Sequence, residues 1–249
     1  MRNLNILGGL RNRASTIIAA IGGAFLMAAC GAVMTFVLAP GQAIKASQIA
    51  KMPQMDAAYV SMAAPGTDIL ITGYLNGTAP NPQLPEFIAY YQEEWEVSES
   101  SSSSSTPQPP SGSWRRVETV VPELALDMSG SPVPILAANN AILSGPNLHE
   151  LLVPQTSAFT ADYNGQKLGE GSIRYTGFFS GDLVTVLGKK SSSDGVVPEE
   201  LFSGDRVAYE QYQKDSAKAL LFMGIAAMAC SPFVLIGGIL AALFGRGRR

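Results

Sequence analysis

The chain is poor in the residues that most often carry chemistry. Among 249 residues it has one histidine and two cysteines, and no acidic side chain lies before Asp56 or after Asp215. A lone histidine cannot complete a zincin pair. His149-Glu150, which opens like one in HELLV, therefore reads as a surface or hydrogen-bonded histidine. A Ser-His-Asp triad or a histidine metal site around it stays open in principle. Both cysteines, Cys30 and Cys230, sit within apolar stretches. The segment between those stretches can therefore hold neither a disulfide nor a zinc–thiolate site. It is still long enough to bury one hydrophobic core unaided.

Charge is also missing in two places. No Asp, Glu, Lys, Arg or His occurs from Ala14 to Ile44, nor from Ala219 to Gly245. A helix rises about 1.5 Å per residue, so roughly 20 apolar residues cross a hydrocarbon layer of about 30 Å. Thr16 to Leu38 and Ala219 to Phe244 both meet that length, with slack for tilt. Arg13, Lys45, Lys218 and Arg246 mark their edges. Pro232 falls inside the second stretch, where a proline is tolerated. The first stretch has two other readings. One is a cleaved secretory signal; the other is a lipobox at Met27-Ala28-Ala29-Cys30, with Cys30 acylated. The apolar run from Ala32 to Ala39 argues against the lipoprotein, and the length of the stretch favours an uncleaved helix over both.

What is present sets the orientation. Arg2, Arg11 and Arg13 precede the first stretch, and Arg246, Arg248 and Arg249 follow the second. Between Lys45 and Lys218 lie eleven basic and twenty acidic residues, a balance of −9 against +6 at the ends. The positive-inside rule then places both termini in the cytoplasm and the middle outside it. An acidic segment without a basic stripe argues against nucleic acid as a partner. The expected layout is a basic tail at 1–15, a transmembrane helix at 16–38 and an extracytoplasmic β-rich domain at 39–218. A second transmembrane helix at 219–244 and an Arg-rich tail at 245–249 complete it.

Within the middle segment, Gly41 to Met55 reads as a juxtamembrane turn and a short helix limited by Pro53. Ile69, Ile71 and Leu75 alternate with Leu70, Thr72 and Tyr74, a strand ending at Asn76-Gly77. Glu86 to Val97 alternates again. It places Phe87, Ala89, Tyr91, Trp95 and Val97 on one face, broken only by Glu93. A helix starting at Pro85 competes, but the aromatic content favours a strand. Ser98 to Ser113 is low-complexity Ser/Pro sequence and reads as a flexible loop inside one domain. Trp114 to Val121 is a further strand. Leu124 to Leu126 turns through Asp127 to Gly130 into Val133 to Leu136, with Pro132 and Pro134 suiting an edge strand. Asn139 to Gln166 carries no clear pattern. Ile173 to Phe178 and Gly181 to Gly188 are strands, and Ser191 to Gly195 is a turn. Arg206 to Ala217 turns helical, with Ser203 or Asp205 as its cap, and runs into the second apolar stretch.

This order of pieces resembles the GIDE (BAM) domain family, in which two membrane helices flank a β-rich module. The matching pieces are ILITGYL with Gly73, EFIAYYQEEWEV, SWRRVETVVP, ELALDMSGSPVPIL, FSGDLVTVLGK and LFSGDRVAYEQYQKDSAKALLFMG, between about Ala57 and Gly224. The best-known eukaryotic members are mitochondrial outer-membrane ubiquitin ligases carrying a zinc-binding RING. This sequence has no such set of Cys and His, so the resemblance implies the fold and an interaction role and no ligase activity. The implied fold is two transmembrane helices flanking a mainly β, small-barrel, OB-like extracytoplasmic domain.

Other motifs are weak. Gly188-Lys189-Lys190-Ser191 lacks the glycine spacing of a phosphate loop, and its charges suit a hairpin end. Gly165 to Gly171 is no dinucleotide fingerprint, because no helix follows it. Serines are too numerous to single out a nucleophile. No catalytic, cofactor-binding or metal-binding residue is assigned, and no cofactor is expected. Ala20, Ala24, Ala28 and Ala32 form a small-residue stripe. It suits packing against Gly224, Gly237 and Gly238 of the second helix, or against another copy or complex. The expected role is a non-enzymatic scaffold or protein-interaction module of the plasma membrane. Its partners would be the lipid bilayer and a protein or second copy met through the transmembrane helices. A membrane-bound Ser/Lys hydrolase and a lipoprotein-like accessory subunit are the alternatives.

Overall fold

Helix forms where charge is absent and alanine, leucine and isoleucine dominate; strand forms where β-branched and aromatic residues alternate. The computed structural model describes residues 4–53, 55–98 and 109–244. Most of the expected Ser/Pro loop and the outermost tail residues lie outside that set. The chain divides into a helical unit, Met1–Lys51 with Glu210–Arg249, and a β unit, Met52–Tyr209.

In the helical unit, α1 (Leu4–Val33) passes through a π turn (Met34–Leu38) into α2 (Ala39–Lys51). The separate juxtamembrane turn expected at Gly41 is corrected: the helix runs straight on. Pro40 explains the wider turn. It lacks an N–H and its ring crowds the carbonyl four residues back, so Ala39 N–H donates to the Met34 carbonyl, five back. The helix stops at Lys51, because a residue before proline, here Met52, disfavours helical geometry. On the other side, α4 (Arg206–Phe244) is one helix of 39 residues with Pro232 inside it. Of the two expected caps, Asp205 serves: its Oδ1 accepts the Ala208 N–H at 2.8 Å.

The two long helices pack together through small residues. Gly31 meets Gly224, and a Cβ on Gly224 would lie 2.8 Å from the Gly31 carbonyl oxygen and strike Thr35 Oγ1. Ser231 Oγ donates to the Ala24 carbonyl at 2.8 Å, and Gly238 faces Ala20. The stripe is therefore shifted from the expected one. Ala20 and Ala24 take part, Gly31 makes the closest crossing, and Gly237 has open space around it.

The β unit has twelve strands and one short helix among the described residues. Helix α3 (Ala57–Met62) starts where Asp56 Oδ1 accepts the Tyr59 N–H at 2.7 Å. In chain order come β1 (Asp68–Asn76), β2 (Phe87–Ser98), β3 (Ser111–Val120), β4 (Leu124–Met128), β5 (Ser131–Ile135) and β6 (Ile142–Ser144). They are followed by β7 (His149–Val153), β8 (Thr160–Tyr163), β9 (Gln166–Gly169), β10 (Ile173–Phe179), β11 (Leu183–Lys190) and β12 (Val196–Ser203). The main mixed sheet runs β11-β1-β4-β5-β12-β6, and β12 also pairs with β11, so five strands join in a ring. Every pairing in the ring is antiparallel except β5 with β12, which is parallel at Val196 and Ile135. Ile69, Ile71, Leu126, Ile135, Val184, Val186 and Leu201 are buried in its core.

A second antiparallel sheet, β3-β2-β10-β7, is built from two insertions into the ring's sequence, and β8-β9 is a separate hairpin. Several expectations are adjusted here. Ser111, Gly112 and Ser113 belong to β3, paired with Ser98, Val97 and Glu96, so the expected loop is shorter at its C-terminal side. Gly112 is required there because the Trp95 indole lies where its Cβ would stand. Phe87 packs with Tyr90 and not with Ala89, since the register slips opposite Phe178 and Phe179. Strand β5 is no free edge. It pairs fully with β4 but touches β12 at one residue only, which spares Pro132 and Pro134 from donating.

Candidate functional site

His149, on β7, holds a defined place. Its ring stacks on Phe179 at 3.8 Å between centroids, and its Nε2 lies 3.2 Å from Asp182 Oδ1. The other oxygen of Asp182 accepts the Phe179 N–H at 2.8 Å, tightening the turn that leads into β11. This is the orienting half of a triad: an aspartate fixing an imidazole. The nucleophile is what such a site needs next, and among the described residues no hydroxyl or thiol is hydrogen-bonded to His149. Nor do three His, Cys, Asp or Glu side chains gather to hold a metal among those residues.

Lys190, at the end of β11, has a buried side chain. Its Nζ donates to the Ser193 carbonyl at 3.3 Å and lies 3.4 Å from Asp194 Oδ1. Both groups close the turn at Ser191 to Gly195. A Ser/Lys hydrolase needs the amine beside a serine hydroxyl, and this amine is turned to a carbonyl and a carboxylate. Glu200 is buried too, and it accepts Ser144 Oγ and Tyr209 Oη, each at 2.7 Å. Those hydroxyls satisfy a carboxylate that would otherwise be costly inside a core.

The densest polar cluster was not singled out from the sequence. Arg174 Nε donates to Glu93 Oε2 at 2.8 Å, with Nη2 on the same oxygen, and Nη1 donates to Tyr163 Oη at 2.9 Å. Glu150 stands 3.8 Å away. The guanidinium lies 4.5 Å from the Trp114 ring centroid, and Trp114, Trp95 and Tyr163 contact one another edge-on or tilted at 4.9–5.4 Å. Burial is the largest influence on Arg174 and opposes its charge. The hydrogen bond and charge of Glu93, with Tyr163 and Glu150, outweigh that and raise its pKa. A guanidinium so held does not exchange protons near neutrality. The cluster joins β2, β3 and β10 to the β8-β9 hairpin by a cation–π and ion-pair brace.

Two grooves remain. The β unit carries one of 930 Å³ over the outer face of β1, lined in part by Leu70, Thr72, Tyr74, Met128 and Val207. Its charged groups serve local turns. Asp56 and Asp205 cap helices, Asp127 accepts the Gly130 N–H, and Arg206 donates to the carbonyls of Met52 and Pro53. Among the described residues it offers a mixed apolar and polar surface with no assembled acid–base pair. The helical unit carries an apolar groove of 610 Å³ along α2 and the first part of α4, edged by Lys214 and Lys218. Both volumes fall in the range of about 300–1,000 Å³ typical of ligand sites. Neither a family model, nor a curated protein, nor a solved structure matches this chain.

Proposed function

We propose that the protein is a two-span plasma-membrane protein with both termini in the cytoplasm, displaying its β unit outside as a non-enzymatic scaffold or protein-interaction module. The observation that carries this reading is the state of its apolar helices. They are long and apolar enough to cross a membrane, at mean hydropathy 2.2 and 2.3. Yet only 11% and 6% of their most apolar windows are buried within the protein. A core helix of a water-soluble protein would be mostly covered. Side chains such as Phe25, 76% exposed, need another apolar solvent, and lipid supplies it.

The OB-like reading draws support from the ring order. Numbering only its five strands in chain order, they neighbour one another as 1-2-3-5-4-1, the Greek-key order of an OB barrel. Membership of the GIDE family belongs to the same proposal. It rests on the motif order, whose pieces fall on β1, β2, β3, the β4-β5 hairpin, β11 and the start of α4. A binding role is favoured over hydrolysis because, among the described residues, neither the Asp182–His149 pair nor the Lys190 amine has a hydroxyl partner in its hydrogen bonds.

The test uses the full chain. It should stay in the membrane pellet under alkaline carbonate, migrate in mild detergent as more than a single copy, and resist a fluorophosphonate probe. A carbonate-soluble chain would sink the membrane reading. Stoichiometric labelling of one serine would sink the non-enzymatic one.

A further inference from the structure

The groove of the helical unit has an order along its length that fits one kind of ligand. On one side it is floored by Ala39, Ala43, Ala46 and Ala50, which share a face of α2, and it starts near Thr35 in the π turn. On the other side Leu221, Lys218 and Lys214 succeed one another along α4. The uncharged stretches end at Ile44 and begin at Ala219, so the groove straddles both boundaries. Its Thr35–Leu221 end lies among uncharged residues. Its other end lies beside two ammonium groups one helical turn apart. Small side chains keep the trough open, and the π turn (Met34–Leu38) stands at its start.

Resting on the membrane reading above, we propose that this groove binds one anionic glycerophospholipid, with an acyl chain running from Ala43 and Ala39 toward Thr35 and Leu221 and the phosphate between Lys214 and Lys218. An amphiphile matches a trough that is apolar at one end and cationic at the other. A lysine at the boundary reaches toward a headgroup while its stem covers apolar surface. Each basic group at that level attracts anionic lipid, and two placed side by side select for it. Lys218 also lies 3.4 Å from Asp215, but that pair is solvent-exposed and holds the ammonium weakly. Ala43 and both lysines are exposed, so they can be changed without disturbing a core.

The experiment takes the full chain from membranes in mild detergent, adds equimolar phosphatidylglycerol and phosphatidylcholine, and counts retained lipids by native mass spectrometry. One phosphatidylglycerol should be retained with a preference on the order of tenfold. The preference should vanish in K214Q/K218Q, persist in K214R/K218R, and vanish in Ala43→Phe, which fills the trough and leaves both charges. Equal retention of the two lipids, or a preference that K214Q/K218Q leaves intact, overturns the site while the membrane reading stands. Release of the unmodified chain by alkaline carbonate overturns the membrane reading and the site together.

Discussion

In the β unit Phe178 is sealed from solvent and Phe202 nearly so, while in the helical unit Phe25, Phe36, Phe222 and Phe233 lie 68–76% exposed. The same side chain meets opposite fates because the two units bury surface against different things. The β unit closes a ring of strands around its own core and needs no other medium. The helical unit uses its contacts sparingly, on glycine, alanine and serine, and presents its large residues outward. Small residues inside and large ones outside is the arrangement expected when lipid is the solvent, since helices there associate through close backbone approach. Water would impose the reverse.

That contrast can be broken by matched substitutions. Both tryptophans, Trp95 and Trp114, lie in the β unit, so fluorescence reports its unfolding alone. The largest effect is expected from Phe178→Ala, which opens a cavity in a fully buried site and should cost about 3–5 kcal/mol in urea unfolding. Phe25→Ala, equal in chemistry, should leave that transition where it is. If the two shift it alike, the division into independent burials is wrong. Next in size is Glu93→Gln. It removes the carboxylate that Arg174, 18% exposed, meets with two donors, leaves the half-exposed Glu150 at 3.8 Å, and should destabilise the same transition by about 3 kcal/mol. Arg115, whose salt bridges to Glu94 and Glu96 are exposed, should be replaceable by alanine with no measurable shift.

The helical unit is probed by steric change at its closest crossing. Gly224→Leu drives a side chain into Thr35 and the Gly31 carbonyl, and overpacking of this kind costs about 1–3 kcal/mol. With Cys30 and Cys230 replaced by serine, oxidative crosslinking of Ala24→Cys to Ser231→Cys should fall sharply in that background, while tryptophan fluorescence stays unchanged. A smaller effect at this crossing belongs to Ser231→Ala, which removes one interhelical hydrogen bond worth about 0.6 kcal/mol. It should be visible only as a slight loss of crosslinking between flanking positions.

How much could be read from residues alone follows the strength of each local signal. The apolar helices, β1, β2, the β4-β5 hairpin, β10 and β11 were legible because burial on one face leaves a period that one sequence can show. Strand β12 was missed. Its alternation is masked by Pro198, Glu199 and Glu200, and Glu200 is tolerable inside only because Ser144 and Tyr209 bring hydroxyls to it from elsewhere in the chain. The continuity of α1 with α2 was missed because Pro40 and Gly41 read as a break, whereas a π turn absorbs the proline. Glu93 was visible as the one flaw in an apolar face. Its reason, Arg174, lies 81 residues away and no local pattern points to it. Assignments that depend on one strand's own periodicity are open to sequence, and those that depend on distant partners are not. The arginine brace and both grooves are of the second kind.

The central claim is that lipid covers the exposed helices while the β unit faces away from the cytoplasm. Impermeant maleimide labelling tests it directly, on chains lacking the native cysteines and carrying a single Cys at Glu123, Arg2 or Arg248. In intact cells Glu123→Cys should label at once, and Arg2→Cys and Arg248→Cys only after permeabilisation. The opposite order, or immediate labelling of all three, would contradict the account.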